Sequence, residues 1–322
     1  MSEQELIQKY FSQHQSFCET VDVSVGDDAA IVNPPENSKL VITTDTLNEG
    51  VHFYLDCKPQ YIGHKSLSVS LSDIAAMGAK PLWATLSLSL PAVDHDWLKG
   101  FSDGLFALAD THKLKVVGGD LVKGPLSITI QVIGCIYNDQ KLLRNSCQID
   151  DLIYVTGYIG DAALGLKLIN NDSKLDLTDS NQEYFLQRLQ MPTPRLDVSA
   201  HIAEYAHAAI DISDGFLIDL QRLLAMSNKG AEIELENIPV SDAMKDKINQ
   251  LNDIKNLLVG GEDYELLFTI NPNDKTKLEA YFKKENIVVT EVGRIVKGFG
   301  VSLLSNHKHT DLPNIAGFDH FS

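Results

Sequence analysis

The chain has 322 residues, and 44% of them are hydrophobic, so we expect a substantial buried core arranged in one large or two moderate domains. The formal net charge is −17 at pH 7. A surface this acidic repels nucleic acid and anionic membranes, and we therefore set both aside as partners.

The cellular compartment is indicated by two further features. The N-terminal sequence MSEQELIQKYFSQ lacks the apolar stretch of a signal peptide, and no later run reaches the ~18 apolar residues that a membrane span needs. The cysteines show neither a CxxC pair nor the spacing of a metal finger; they are Cys18, Cys57, Cys135 and Cys147. Reduced, packed thiols fit this pattern, so we expect a folded cytoplasmic protein.

The first part of the chain alternates helices and strands. Hydrophobic spacing predicts helices over residues 1–20, 60–78 and 95–112, and strands over residues 40–44, 82–90, 115–117 and 126–136. Gly78 and Pro81 mark the end of the second helix.

The alternation continues after residue 149. We predict strands over residues 152–156, 208–210, 231–235, 265–270 and 287–292, with helices over residues 161–169, 195–205, 216–225, 241–249 and 274–284. The polar residues 172–181 predict a loop. Interleaved strands and helices indicate an α/β or α+β class, which we divide into domains 1–149 and 150–322.

Carboxylates are concentrated in four short motifs. These are GDDAAIV with Asp27 and Asp28, VITTDT with Thr43, Thr44 and Asp45, VVGGD with Asp120, and AAIDISDG with Asp211, Ser213 and Asp214. In the last three motifs the polar residues directly follow a predicted strand. Ligands of α/β sheets bind at the carboxyl ends of strands, so we expect these side chains to face a site.

A fifth acid, Asp73, lies in the apolar or small-residue segment SLSVSLSDIAAMGA and needs a hydrogen-bond donor or a cation if it is buried. Each acid taken alone has an ordinary explanation as a cap or turn residue, and Asp73 could pair with a lysine such as Lys65. Together the aspartates favour shared divalent cations. Mg²⁺ prefers oxygen ligands, and no His or Cys cluster points to zinc.

Phosphate recognition is suggested by two weaker features. Gly118 and Gly119 would let backbone amides approach a phosphate, and Arg144 could clamp one or could be a plain surface charge. The chain has no GxxxxGK[ST], GxGxxG, HRD or DFG motif, so it is neither a P-loop protein nor a protein kinase.

In this order, the motifs resemble the thiamine-monophosphate kinases, members of the aminoimidazole-ribonucleotide-synthetase-like superfamily. The matching stretches are GDDAAIV, TTDTLNEGVHF, KSLSVSLSDIAAMGAKPLWATLSLSLP, VVGGDLVKGPLSIT, Arg144, DLIYVTGYIGDAALGL, AIDISDGFLIDL, VGGEDYELLFTI and GFDHF. Each stretch alone is weak, but nine in this order are specific.

The resemblance implies transfer of the γ-phosphate of ATP to thiamine monophosphate, giving thiamine diphosphate and ADP. It implies a two-domain α/β (α+β) fold of that superfamily, an ATP cleft between the domains, and a homodimer whose N-terminal sheets join into a barrel. No covalent nucleophile is implied. The acceptor phosphate is already mostly deprotonated, so the enzyme must mainly position the reactants and neutralise charge.

The resemblance also assigns residue roles. Several Mg²⁺ ions would be held by Asp28, Thr43, Thr44, Asp45, Asp73, Asp120, Asp211 and Asp214. ATP would contact Gly119, Asp120, Arg144 and Ser213. Thiamine monophosphate would contact His52, Glu262 and Phe318, with Ile315 as the alternative to Phe318.

Three other functions remain open on sequence grounds. A sister ATP-using synthetase of the superfamily is one, although TTDTLNEGVHF and GGEDYEL favour the kinase. A phosphatase with an aspartyl-phosphate intermediate is another, because DISDG resembles the acidic loop of such enzymes. The third is a nucleotide-binding maturation module, since a fold does not fix a function.

Overall fold

The computed structural model describes residues 1–12, 19–138, 140–170, 177–245 and 257–313. Within it the chain forms two compact units. The first unit comprises Met1–Ile74 and Ala79–Gln140, and the second comprises Ala75–Gly78 and Lys141–Ser322. The first unit thus ends before the proposed boundary at residue 149, which stays a prediction. None of the described helices is both long and apolar enough to cross a membrane.

The first unit is built on a four-stranded sheet. Its elements are α1 (Glu3–Tyr10), β1 (Val21–Val23), β2 (Ile31–Val32), β3 (Ser38–Asn48), α2 (Pro59–Ala76, with its last two residues in the second unit), β4 (Lys80–Leu90), α3 (His95–Thr111), β5 (Lys115–Lys123) and β6 (Ser127–Tyr137). The strand order is β3-β6-β4-β5. Only the β4–β5 pair is parallel; β6 is antiparallel to both of its neighbours.

Strand β3 lies at an edge of this sheet and is largely exposed. Leu40 and Ile42 are 47% and 60% exposed, and because side chains alternate along a strand they share one face. By contrast, Ile128, Ile130 and Val132 of the neighbouring β6 are almost fully buried. The sheet therefore keeps its core at β6 and leaves an apolar surface on β3.

The second unit is built on a seven-stranded sheet. Its helices are α4 (Asp161–Ile169), α5 (Asp179–Gln190), α6 (Leu196–Tyr205), α7 (Phe216–Ser227), α8 (Asp242–Lys245) and α9 (Lys275–Lys284). Its strands are β7 (Leu152–Thr156), β8 (Ala206–Ile212), β9 (Gly230–Glu234), β10 (Glu265–Ile270), β11 (Val289–Val296), β12 (Gly300–Ser305) and β13 (Lys308–Thr310). The order is β13-β12-β9-β11-β7-β10-β8, antiparallel except for the β9–β12 pair.

Both faces of this sheet are covered. Ile153 and Val155 of β7 pack in one hydrophobic cluster with residues of α7, whereas Tyr154 packs in another with residues of α6 and α9. Successive residues of β7 thus enter opposite layers, as the two-residue period of a strand requires. The structure confirms the predicted interleaving of strands and helices, and its mostly antiparallel sheets are of the α+β kind.

One expectation about the acids is wrong. We expected Asp45, Asp120 and Asp211 just after strands, but they lie inside β3, β5 and β8. Polar residues do not end β3 or β5, because both are edge strands with exposed positions. In addition, the rule for the carboxyl ends of strands applies to parallel α/β sheets, and these sheets are mainly antiparallel.

Other differences concern element boundaries. The first helix ends at Tyr10, and the predicted loop at 172–181 includes the start of α5, which Thr178 caps by accepting the Asn181 N–H at 3.3 Å. Strands β1, β2, β12 and β13 were not predicted. Much of the predicted 241–249 helix falls outside the described residues, as do Phe318, Ile315 and Cys18. The other three cysteines are free thiols.

The two glycines of VVGGD make a matched pair for testing the β4–β5 ladder. Gly119 pairs with Leu86, and a Cβ on Gly119 would lie 1.9 Å from the Leu86 carbonyl oxygen, whereas a Cβ on Gly118 would meet nothing within 4 Å. We expect Gly119→Ala to lower the free energy of unfolding by about 2–3 kcal/mol through overpacking. Gly118→Ala should change it by less than about 0.5–1 kcal/mol.

Urea denaturation of both variants measures these free energies. Equal stabilities for the two would show that β5 does not approach β4 as closely at Gly119 as the structure describes.

Candidate active site

A cavity of about 600 Å³ in the first unit brings two of the predicted motifs together. One wall carries Asp27 and Asp28 of GDDAAIV, and another carries Gly119 and Asp120 of VVGGD. Residues of α1 and β4 complete the lining. Although these motifs lie far apart in sequence, the fold places them on a single concave surface.

The charged side chains among the described residues that line this cavity are all acidic. They are Asp27, Asp28 and Asp120, and all three are exposed. The Asp28 N–H donates to Asp27 Oδ1 at 2.8 Å, which fixes the backbone of the GDD turn. An anionic ligand such as a phosphate therefore needs a bound cation to occupy this cavity.

A second acidic pair lies between β3 and α2. Ser70 donates to Asp45 Oδ2 at 2.8 Å, and the Thr43 hydroxyl donates to Asp73 Oδ2. Burial and, to a smaller extent, the negative charge of Asp73 together raise the pKa of Asp45 to about 6, although the Ser70 hydrogen bond opposes the shift. Asp73 thus has a hydroxyl donor rather than the lysine partner considered from sequence.

This pair fits Mg²⁺ in part. Mg²⁺ is usually held by one or two carboxylates, waters and substrate phosphates, and Asp45 and Asp73 supply the two carboxylates. Thr43 shares their face of β3, but Thr44 points to the opposite face, where Gln131 Nε2 donates to its hydroxyl at 3.3 Å. The Thr44 hydroxyl is therefore not brought together with the pair. Among described residues, no three His, Cys, Asp or Glu side chains form a metal cluster.

His52 lies in the turn that follows β3. The Asn48 N–H donates to His52 Nδ1 at 3.0 Å, so the proton of the neutral ring is on Nε2. The His52 carbonyl accepts a hydrogen bond from Lys65 Nζ at 3.2 Å, and Lys65 is almost fully buried. Hydrogen bonds to the imidazole ring and to the carbonyl group of His52 thus stabilise the turn.

In the second unit, the DISDG segment is organised by a residue that sequence reasoning missed. Asp219 of α7 is buried, and its Oδ2 accepts the backbone N–H groups of Ser213, Asp214 and Gly215 at 3.1, 2.9 and 3.2 Å. Burial raises the pKa of Asp219, and the hydrogen bonds from the loop oppose this. The only sequence signal was the position of Asp219 within the matched stretch AIDISDGFLIDL.

The GGEDYE segment is joined to this loop. The Glu262 N–H donates to the Ser213 carbonyl, and the Tyr264 N–H donates to the Ile212 carbonyl, both at 2.8 Å. Glu262 has φ of 76° and Tyr264 has φ of 50°, in the left-handed region that side-chain-bearing residues rarely adopt. The fold thus holds Glu262 beside Ser213 in a strained backbone.

Asp263 joins the GGEDYE segment to the start of α4. Its side chain accepts the N–H of Gly160 at 2.8 Å and of Ala162 at 3.3 Å, at the start of α4. Burial raises the pKa of Asp263 to about 8, although these hydrogen bonds and the Arg188 charge oppose the shift. Two residues on, the buried Glu265 pairs with Arg188 at 2.9 Å and with Arg195.

The predicted site residues fall into two groups. The first unit contains Asp28, Thr43, Thr44, Asp45, His52, Asp73, Gly119 and Asp120, and the second contains Arg144, Asp211, Ser213, Asp214 and Glu262. Asp211 is buried in β8, whereas Arg144 is exposed and its carbonyl accepts the Ser227 hydroxyl at 2.9 Å. Phe318 lies outside the described residues.

Comparison with known proteins shows the family of the chain. Residues 26–136 match the family described as AIR synthase related protein, N-terminal domain, and residues 148–305 match the corresponding C-terminal domain. A thiamine-monophosphate kinase of Haemophilus influenzae is 40% identical over 324 residues, covering 100% of this chain and 98% of that protein. This chain belongs to the thiamine-monophosphate kinase family.

Other members of the family match over similar lengths. The thiamine-monophosphate kinase of Escherichia coli is 37% identical and covers 98% of this chain and 97% of its own length. A solved thiamine-monophosphate kinase from Stenotrophomonas maltophilia superposes with a TM-score of 0.84 at 40% identity, covering 88% of this chain and 91% of that one. AaThiL complexed with AMPPCP and TMP gives 0.77 at 32% identity, with coverages of 90% and 89%.

These matches confirm the expected two-domain fold of the aminoimidazole-ribonucleotide-synthetase-like superfamily for this kinase family member. The hydrogenase maturation protein HypE of Escherichia coli also superposes, with a TM-score of 0.77, but at 19% identity it shares only the fold.

The raised pKa of Asp263 predicts a pH-dependent stability. Because its folded pKa of about 8 exceeds that of an unfolded aspartate, the stabilisation is complete at low pH and is lost as the pH rises from about 4 toward 8. We expect the unfolding free energy of the unmodified protein, relative to Asp263→Asn, to fall by up to about 1.4 kcal/mol per pH unit between pH 5 and 8.

Chemical denaturation at several pH values measures this difference. Asp242→Asn, at a carboxyl that is 91% exposed, is the control and should show no such trend. Parallel pH profiles for the unmodified protein and Asp263→Asn would contradict the assignment.

Proposed function

We propose that this chain transfers the γ-phosphate of ATP to thiamine monophosphate, giving thiamine diphosphate and ADP. The observation that carries this proposal is the full-length match to thiamine-monophosphate kinases, including the structure with AMPPCP and TMP. The grouping of the GDD and GGD motifs around one cavity supports it, because both motifs belong to the nine stretches on which the resemblance depends.

The charges of the site support a requirement for Mg²⁺. Both reactants are anionic, and the charged residues that line the cavity in the described part of the first unit are all acidic. When bound, Mg²⁺ neutralises phosphate oxygens and orients them for in-line transfer. In the first unit the ions would be held by Asp28, Thr43, Thr44, Asp45, Asp73 and Asp120, with Thr44 offering its backbone rather than its hydroxyl. In the second unit they would be held by Asp211 and Asp214.

The protein's own residues then bind and orient the reactants. We assign the nucleotide to Gly119, Asp120, Arg144 and Ser213, and the acceptor to His52, Glu262 and Phe318. The Asn48 N–H donates to His52 Nδ1 and so fixes the orientation of the ring. No general base is needed, since a phosphate monoester near neutral pH is already mostly ionised.

We further propose a homodimer in the cytoplasm. The exposed apolar side chains of Leu40 and Ile42 on edge strand β3 support the dimer, because a second sheet could bury them. The free thiols of Cys57, Cys135 and Cys147 support the cytoplasmic location, because a reducing compartment keeps cysteines unpaired.

The direct test is ADP release from ATP and Mg²⁺ with thiamine monophosphate, with thiamine, or without an acceptor. We expect release only with thiamine monophosphate and thiamine diphosphate in equal amount. Nucleotide binding without stoichiometric release would indicate a maturation module, and release with another superfamily substrate would indicate a sister synthetase. A stable phospho-aspartate would indicate the phosphatase alternative.

A further inference from the structure

Arg222 of α7 bridges two carboxylates of the DISDG region. Its Nη1 donates to Asp219 Oδ1 at 2.7 Å and contacts Asp214 Oδ2 in an ion pair. The Asp219 side chain is fully buried, whereas that of Arg222 is 45% exposed. One nitrogen of the guanidinium is therefore fixed by the protein while the side chain remains accessible.

The other two nitrogens of the Arg222 guanidinium can donate to a ligand. Within the described parts of the chain, Arg222 Nε and Nη2 make no hydrogen bond, and an arginine has five N–H donors in a rigid plane. Because these ion pairs already restrict the side chain, Arg222 loses little further conformational freedom when it binds a ligand. Its open edge suits two oxygens of a phosphate, which arginine binds in bidentate geometry.

The adjacent loop cannot bind an anion with its own backbone. The N–H groups of Ser213, Asp214 and Gly215 all point to Asp219 Oδ2, so they are not offered to a phosphate as in an anion-binding nest. The loop also carries the negative charge of Asp214. A phosphate at Ser213 therefore needs a cation, and Arg222 is the basic side chain that contacts this loop in the described structure.

Asp214 can serve a metal ion and Arg222 at once. Its Oδ2 pairs with Arg222, and its Oδ1 has no hydrogen bond or ion pair with any residue that the structure describes. We propose that Arg222 binds phosphate oxygens of the nucleotide at the 211–215 loop, held in position by Asp214 and Asp219. This inference rests on the proposed function and adds a phosphate-binding residue that the family resemblance did not supply.

The test is calorimetric binding of AMPPCP with Mg²⁺ to the full-length protein carrying Arg222→Met or Arg222→Lys. We expect Arg222→Met to weaken binding by about tenfold or more, as for loss of a charged hydrogen bond. Lysine keeps the charge but not the planar fork, so Arg222→Lys should recover only part of the affinity. The control is Arg294→Met, which removes an arginine that is 66% exposed and 3.9 Å from Glu232.

A second measurement distinguishes a role of Arg222 in binding the nucleotide from a role in stabilising the 211–215 loop. In steady-state assays, Arg222→Met should raise the KM for ATP while changing the KM for thiamine monophosphate by less than about twofold. Unchanged AMPPCP affinity would overturn the proposal. Equal losses for both substrates with a lower Tm would also overturn it, because they would show that Arg222 only supports the loop. Because AMPPCP binding needs no acceptor, a failure of the proposed kinase reaction is seen separately, as absent turnover in the unmodified protein.

Discussion

The repulsion between Asp45 and Asp73 is the constraint on which the account of the first unit depends. The two carboxylates are close enough for the charge of Asp73 to raise the pKa of Asp45, and hydroxyl groups are the hydrogen-bond donors to both in the described structure. Hydroxyls can satisfy oxygen lone pairs but cannot neutralise charge. Two carboxylates that repel one another cost stability unless a cation is bound, and we expect this cost if the pair is the Mg²⁺ site that we propose.

The small side chains of α2 explain how Asp45 and Asp73 come close together. The segment SLSVSLSD places small serines at buried positions, so the helix lies close to the sheet and Ser70 reaches Asp45. Strand β3 alternates its side chains, which sends Thr43 and Asp45 toward α2 and Thr44 away from it. The same edge strand leaves Leu40 and Ile42 exposed on the other side of its pleat from Thr43 and Asp45.

Several carboxylates of the second unit, unlike Asp45 and Asp73, have backbone amides or arginines as their partners. Asp219 accepts three backbone N–H groups, Asp263 accepts two, and Glu265 is paired with two arginines. These acids are satisfied within the fold and hold the DISDG and GGEDYE segments in place. The paired acids therefore shape the loops, whereas Asp45 and Asp73, whose hydrogen-bond donors in the described structure are hydroxyls, are the acids for which we propose a bound cation.

Sequence reasoning recovered the family, the interleaved elements and the motifs that line the cavity, because these depend on local pattern and on motif order. It misjudged where β3 and β5 end, since an edge strand tolerates polar residues that would stop a buried one. It gave no role to Asp219, Asp263 or Arg222. The groups that these three residues contact lie on other segments or in the loop before α7, so the sequence does not reveal them. Only the folded chain shows that the amides of Ser213 to Gly215 already donate to Asp219.

The most direct test of this account is the thermal stability of the unmodified protein and of Asp45→Asn, each with and without Mg²⁺. Without the ion, Asp45→Asn should be more stable by about 1–2 kcal/mol, because it removes a partly buried charge whose pKa is raised. Mg²⁺ should raise the Tm of the unmodified protein and of the exposed-site control Asp22→Asn, but raise that of Asp45→Asn much less. A variant that is less stable without Mg²⁺, or an equal response to the ion in all three proteins, would contradict the claim that this pair is a cation site.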